Sequence, residues 1–271
     1  MKKRIISLLL VFAMVFSLVP TTAFAATNTQ GASAELVNPF RDVKETDWFY
    51  DDVQYARLNG FFSGTGKTTF EPNGPMTRGM FVTVLGRMAG VNTADYSGET
   101  PFSDVPQSKY YAPYVLWAAK HGITGGTGDG KFSPDALIDR QQMAAFFVRY
   151  FEAFGVNYET GADIATTPAD LDRVQSYAKD AVLKLWKQGL LNGDGVNFDP
   201  TGNASRAQAA TLCMRTDEVV ETWYREPGVA SERVRIDLAA GGTVTPEKPT
   251  EPAKPSSGGS SGGSSSGGGT T

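Results

Sequence analysis

Three arginines sit where a helix gains nothing from a positive charge. Each follows a short side-chain oxygen and opens an apolar run at helical spacing, as Thr77-Arg78, Asp139-Arg140 and Ser205-Arg206. Thr, Asp and Ser are N-cap residues, because a short oxygen can accept from an amide that the first turn leaves without a partner. Three residues further on stand Met80, Gln142 and Gln208. A capping box needs Glu or Gln there, so the second and third copies are expected to close it and the first is not. The arginine has no capping task. At the first helical position it faces the positive end of the macrodipole, which disfavours an exposed cation by about 0.3 to 1 kcal/mol. Its repetition calls for something negative, and a helix N-terminus with unpaired amides beside a guanidinium suits an anion. The other reading is that the guanidinium groups bond loop carbonyls or residues of neighbouring repeats.

These residues belong to a stretch that occurs three times: Phe70-Glu-Pro through Arg78, Phe132-Ser-Pro through Arg140, and Phe198-Asp-Pro through Arg206. Around it each copy reads as helix, Gly-rich loop, helix. Repeat one, residues 40–90, opens with Phe40-Arg-Asp42-Val43, and a helix is expected from Asp51 to Leu58 with Gly60 as its stop. The loop carries Gly64 and Gly66, and a second helix is expected from Arg78 to Ala89, with Phe81, Val82, Leu85 and Met88 on one face. Repeat two, residues 102–156, registers on repeat one without a gap, with Gly64 matching Gly126 and Phe70 matching Phe132. Repeat three, residues 169–216, has lost the Phe-x-Asp-Val opening and reads Ala169-Asp-Leu-Asp-Arg-Val instead, but Gly193, Phe198 and Arg206 keep their places. One unit has too few apolar positions for its own core. The three should pack as a single, mainly α body of three helix-loop-helix repeats with approximate threefold symmetry.

The ends have other tasks. Lys2, Lys3 and Arg4, an apolar run from Ile5 to Val19 and Ala23-Phe24-Ala25 read as a signal peptide over residues 1–25, too short for a membrane span, so an exported protein is expected. Residues 217–242 are expected to hold a helical extension running through Trp223 and one short strand within Glu232–Leu238. Residues 243–271, rich in Pro, Gly and Ser, read as a disordered linker.

Composition removes several chemistries. A single cysteine, Cys213, allows no intramolecular disulfide and fits an apolar helix as a small core residue. The single histidine, His121, falls in the last turn of a helix, where a basic residue suits the dipole. A net charge of −4 argues against a nucleic-acid partner. Of the aromatics Trp48, Tyr50, Tyr110, Tyr111, Trp117 and Trp186, Trp48 is the best candidate to stack on a sugar, since rings inside helices usually fill cores.

Three tandem copies, the Gly-rich loop, Phe-x-Pro and the Thr77-Arg78-Gly79-Met80, Asp139-Arg140-Gln141-Gln142 and Ser205-Arg206-Ala207-Gln208 segments resemble S-layer homology domains, whose hallmark is Thr-Arg-Ala-Glu. The resemblance covers residues 40–215. It implies a three-pronged helical fold that binds a secondary cell-wall polysaccharide carrying pyruvylated sugars and docks an exported protein on the bacterial surface, with S-layer or other surface proteins as further partners. A ketal carboxylate would suit the arginine fork. The candidate ligand-binding set is Arg78, Arg140, Arg206, the caps Thr77, Asp139 and Ser205, the glycines Gly64, Gly126 and Gly193, at which a ligand could approach closely, and Trp48. No catalytic residue, metal or cofactor is expected. The hallmark glutamate is absent, and Met80 weakens the first cap, so the groove of Arg78 is expected to bind more weakly than that of Arg140.

Two other classes fit less well. Gly128-Asp129-Gly130 and Asn192-Gly-Asp194-Gly195 suggest calcium, but neither supplies the alternating oxygens and terminal bidentate Glu of an EF-type loop. A wall hydrolase would need paired acids or a metal cluster, whereas Asp104, Asp139 and Asp172 fall at positions suited to caps and turns.

Overall fold

The computed structural model describes residues 37–219 and the backbone of 234–237 and 243–246. The expected signal peptide, the helix extension beyond Val219 and the tail from residue 247 lie outside the described residues.

Among the described residues six helices follow the expected order: α1 (Tyr50–Leu58), α2 (Arg78–Met88), α3 (Ala112–Lys120), α4 (Arg140–Phe154), α5 (Ser176–Lys187) and α6 (Arg206–Val219). Short 3-10 turns lie between the first two repeats (Thr93–Tyr96) and in the opening of repeat three (Leu171–Arg173). The alternating segment near residue 235 forms β1 (Val234–Asp237), paired antiparallel with β2 (Thr243–Pro246). β2 is a departure from the sequence expectation, since it takes up the first residues of the stretch read as linker.

The helices do not pair within a repeat. The second helix of each repeat packs on the first helix of the next, α2 on α3 and α4 on α5, and α6 returns to α1, so the arrangement closes on itself. Closure gives every apolar helix face a partner, which three units strung as beads would lack. At the centre a cycle of backbone hydrogen bonds joins the repeats: Met76 N–H donates to the Ala204 carbonyl (3.0 Å), Ala204 N–H to Ile138 (2.9 Å) and Ile138 N–H to Met76 (2.9 Å). All three side chains are buried. Phe81 meets Phe146 and Phe147 at ring-centroid distances of 5.9 and 5.7 Å and extends the core across the first two repeats.

Candidate functional site

Each N-cap sits where the sequence places it. The Thr77 hydroxyl accepts from Met80 N–H (3.2 Å), the Asp139 carboxylate from Gln142 N–H (2.7 Å) and the Ser205 hydroxyl from Gln208 N–H (3.2 Å). The first cap is therefore formed despite Met80. The capping box closes only in repeat three, where Gln208 Oε1 accepts from Ser205 N–H (3.1 Å). In repeat two Gln142 turns away and accepts from Arg78 Nη1 of repeat one (3.1 Å). The expectation of two closed boxes is corrected to one: Gln142 finds a charged donor, and a bond to a cation is the stronger of the two.

The helix N-termini are not free. Arg78 and Gly79 donate their amides to the Ala136 and Pro134 carbonyls of repeat two (2.9 and 2.8 Å), Arg140 and Gln141 to Gly202 and Pro200 of repeat three (3.0 Å each), and Arg206 and Ala207 to Gly74 and Pro72 of repeat one (3.0 and 2.9 Å). With the third amide taken by the cap, no first-turn donor remains for an anion. The expected anion site of free amides is thus corrected: those amides join the repeats.

The arginines follow the same cycle. Arg78 Nε donates to the Phe132 carbonyl (2.9 Å), Arg140 Nε to Phe198 (2.8 Å) and Arg206 Nε to Phe70 (2.7 Å). Each guanidinium also lies over the ring of that Phe, at 4.8, 5.1 and 4.5 Å. The residues are 5, 8 and 6% exposed, and burial pushes all three guanidinium pKa values down from their ordinary level. Arginine remains charged under such a shift. Among the described residues Lys184 pairs with Glu152 and Asp180, but none of these three arginines forms an ion pair. The carbonyl and ring contacts belong to the second reading of the sequence. They still leave each group a buried charge without a contacting counter-ion among the described residues, which is costly.

The carboxylates stand one step back. Asp104 accepts from Phe132 and Ser133 N–H (2.8 Å each), Asp170 from Phe198 and Asp199 N–H (2.8 Å each), and Asp42 from Phe70 and Glu71 N–H. Each Phe peptide thus spans an acid and a guanidinium, and the residue after it is forced left-handed: Glu71 at φ 57°, Ser133 at 58° and Asp199 at 56°. Asp170 shows that the third opening kept its working residue although its aromatic is gone, a point the motif pattern hides.

Around this base the three grooves differ. Arg78 Nη1 is held by Gln142, and Arg206 Nη2 donates to the Ser63 carbonyl (2.7 Å). No described group accepts from either Nη of Arg140. Three aromatics at matching repeat positions stand on the surface: Trp48 at 66% exposure, Tyr110 at 60% and Tyr177 at 43%. The field of Arg78 reaches the Tyr177 hydroxyl and that of Arg206 reaches Tyr110; burial, the larger effect, raises both phenol pKa values. The same cyclic register puts Trp48 on the groove of Arg140. Sequence reasoning passed over Tyr177, and its equivalence to Trp48 was the available signal. Trp117 and Trp186 are buried in packing.

The loop glycines have a different neighbour from the one expected. A Cβ at Gly64 would lie 2.6 Å from the Gly66 carbonyl oxygen, at Gly126 2.3 Å from that of Lys131, and at Gly193 1.9 Å from that of Asn197. Their smallness lets the loop close on itself. Among the described residues no group of three or more His, Cys, Asp and Glu could hold a metal. Asp194 instead closes its own turn, accepting from Val196 and Asn197 N–H (2.8 and 2.6 Å).

A family model described as S-layer homology domain matches residues 39–79, 101–144 and 169–210, one match in each of the three repeats. This is a protein with three tandem S-layer homology domains. Relatives include the S-layer protein sap of Bacillus anthracis, 29% identical over 72% of this chain and 24% of that protein. An amylopullulanase of Thermoanaerobacterium thermosulfurigenes is 34% identical over 71% of this chain and 10% of its own length. A cellulosome-anchoring protein of Acetivibrio thermocellus is 25% identical over 66% and 41%. The chain thus spans less than half of each of these relatives, and the similarity to the enzyme identifies no catalytic domain here. The S-layer homology domains assign the chain to the cell wall or S-layer surface.

Proposed function

We propose that the chain anchors itself to the bacterial wall by gripping acidic groups of a secondary cell-wall polysaccharide, with pyruvylated sugars as the ligand class, in the grooves between S-layer homology repeats. The groove of Arg140 is the principal site. The observation that carries this is the Arg140 guanidinium: buried, charged, bonded to protein through Nε alone among the described residues, and aligned by register with exposed Trp48. A carboxylate can take both Nη groups in a bidentate pair, which supplies the missing counter-ion. The Trp48 ring offers a flat apolar face to the sugar that bears it. Arg78, Arg206 and the aromatics Tyr177 and Tyr110 form two further grooves with part of the guanidinium already engaged. Thr77, Asp139 and Ser205 serve the ligand by capping the helices that carry the arginines. Sedimentation with bacterial walls, before and after chemical removal of the secondary polysaccharide, tests the reading: binding should vanish with the polysaccharide and fall sharply in Arg140→Ala. Undiminished binding to stripped walls would refute it.

A further inference from the structure

The second helices share one more basic position. Arg87, Arg149 and Arg215 recur at the same spacing as Arg78, Arg140 and Arg206, nine residues further along α2, α4 and α6. All three are half-buried, but their surroundings differ. Arg87 Nη1 donates to the Phe61 carbonyl (3.4 Å). Arg215 lies one helical turn beyond Thr211, whose hydroxyl bonds the Asp52 carboxylate of α1, so an acid is brought to that face of α6. Arg149 makes no hydrogen bond and no ion pair among the described residues, and Glu152, one turn beyond it on α4, is taken by Lys184.

Its position is functional ground. Arg149 lies seven residues after Gln142, hence on the same face of α4 and about 10 Å further along it. Gln142 is the residue that holds Arg78, and α4 packs on α5, which carries half-exposed Tyr177. The carboxylates whose field reaches Arg78 are engaged elsewhere, Asp139 as the N-cap of α4 and Asp104 on the Phe132 and Ser133 amides. Two guanidinium groups therefore share one groove with no carboxylate bonded to either, and their fields meet at the Tyr177 hydroxyl. Such an arrangement repels itself until an anion is bound.

We infer that Arg149 is a second anion-binding residue of the groove of Arg78, which takes a glycan segment bearing carboxylates on more than one sugar, whereas the groove of Arg140 takes a single acidic group. The inference rests on the anchoring reading above and deepens it. The groove of Arg140 has the counterpart cation, Arg215, but Asp52 on the facing helix offsets it. The second carboxylate would be met about 10 Å along α4 from Gln142, the residue that holds Arg78.

The test is sedimentation of the full chain with protein-free bacterial walls at several NaCl concentrations, using Arg149→Gln, Arg149→Lys and Arg215→Gln, with helix content checked by circular dichroism. Arg149→Gln should weaken binding about fivefold and flatten its salt dependence, while Arg149→Lys and Arg215→Gln stay within about twofold of the native chain. Native affinity in Arg149→Gln overturns the inference, and so does equal weakening in the Gln and Lys variants, which would mark a packing role. If Arg140→Ala also leaves binding intact, the anchoring reading itself fails; if Arg140→Ala abolishes binding and Arg149→Gln does not change it, this inference alone is lost.

Discussion

The grooves of Arg140 and Arg78 are assembled from the same parts, yet they present different chemistry. In both, a buried guanidinium stacks on the Phe of the next repeat and donates Nε to its carbonyl, while an aspartate holds the amides of that Phe and its successor. The difference comes from one glutamine. Gln208 closes a capping box with Ser205 and leaves Arg140 alone, whereas its counterpart Gln142 abandons its box and engages Arg78. A residue whose sequence role is local can thus set the availability of a charge in the neighbouring repeat. The proposed ranking of the two grooves rests on Gln142 and not on Met80, because Thr77 caps α2 even with a methionine at position 80.

The largest expected effect tests the shared scaffold. Asp170 is buried and accepts two amide bonds, and a carboxylate with two such bonds contributes more than a neutral acceptor would. Asp170→Ala should destabilise the fold by about 3 kcal/mol, as each orphaned amide costs about 1 to 3. It should also weaken wall binding through Arg140, because Phe198 loses the anchor that sets its carbonyl. Chemical denaturation compared with Asp104→Ala, at a half-buried position, would show whether the Arg140 groove is the more dependent of the two; a smaller loss at Asp170 would contradict this.

Next comes the charge itself. Arg140→Ala should reduce wall affinity about tenfold, equivalent to about 1.4 kcal/mol, and Arg78→Ala about fivefold, the loss also expected of Arg149→Gln in the same groove. Equal losses would mean that Gln142 does not restrain Arg78. Gln142→Leu sharpens the point: with Nη1 released, Arg78 should contribute more, and binding should rise by up to about twofold.

Much of this was legible in the sequence. The repeat count, the helix starts at Arg78, Arg140 and Arg206, and their three caps follow from local chemistry. The cyclic order did not, because nothing within a repeat says whose carbonyls its first-turn amides will meet. Asp170 escaped notice because the phenylalanine that marks the opening elsewhere is missing, although the structure uses the acid and not the ring to hold the loop. The glycines were assigned to a ligand because their requirement for space was visible and its source, the loop's own carbonyls, was not.

A smaller effect should separate scaffold from ligand contact in the remaining groove. Glu71 is exposed and held at φ 57° after the Phe that carries Arg206. Glycine adopts this conformation without a steric penalty, so Glu71→Gly should raise stability by about 0.5 to 1 kcal/mol in denaturant melts. Binding through Arg140 should be unchanged, since the strained residue there is Asp199.

The smallest effect concerns the acid that distinguishes the Arg140 groove. Asp52 is half-buried where α1 meets α6, and burial raises its pKa above the ordinary carboxylate value, against the opposing influences of the Thr211 hydroxyl and Arg215. An acid whose folded pKa exceeds its unfolded one binds protons more tightly in the fold. Its ionised form therefore works against stability, and the penalty disappears as pH falls through the folded pKa toward the unfolded one. Asp52→Asn keeps an acceptor for Thr211 and removes the titration. The variant should be the more stable protein at neutral pH, with its advantage shrinking toward pH of about 4, where a normal aspartate protonates. If the advantage is instead constant across that range, burial does not raise the Asp52 pKa.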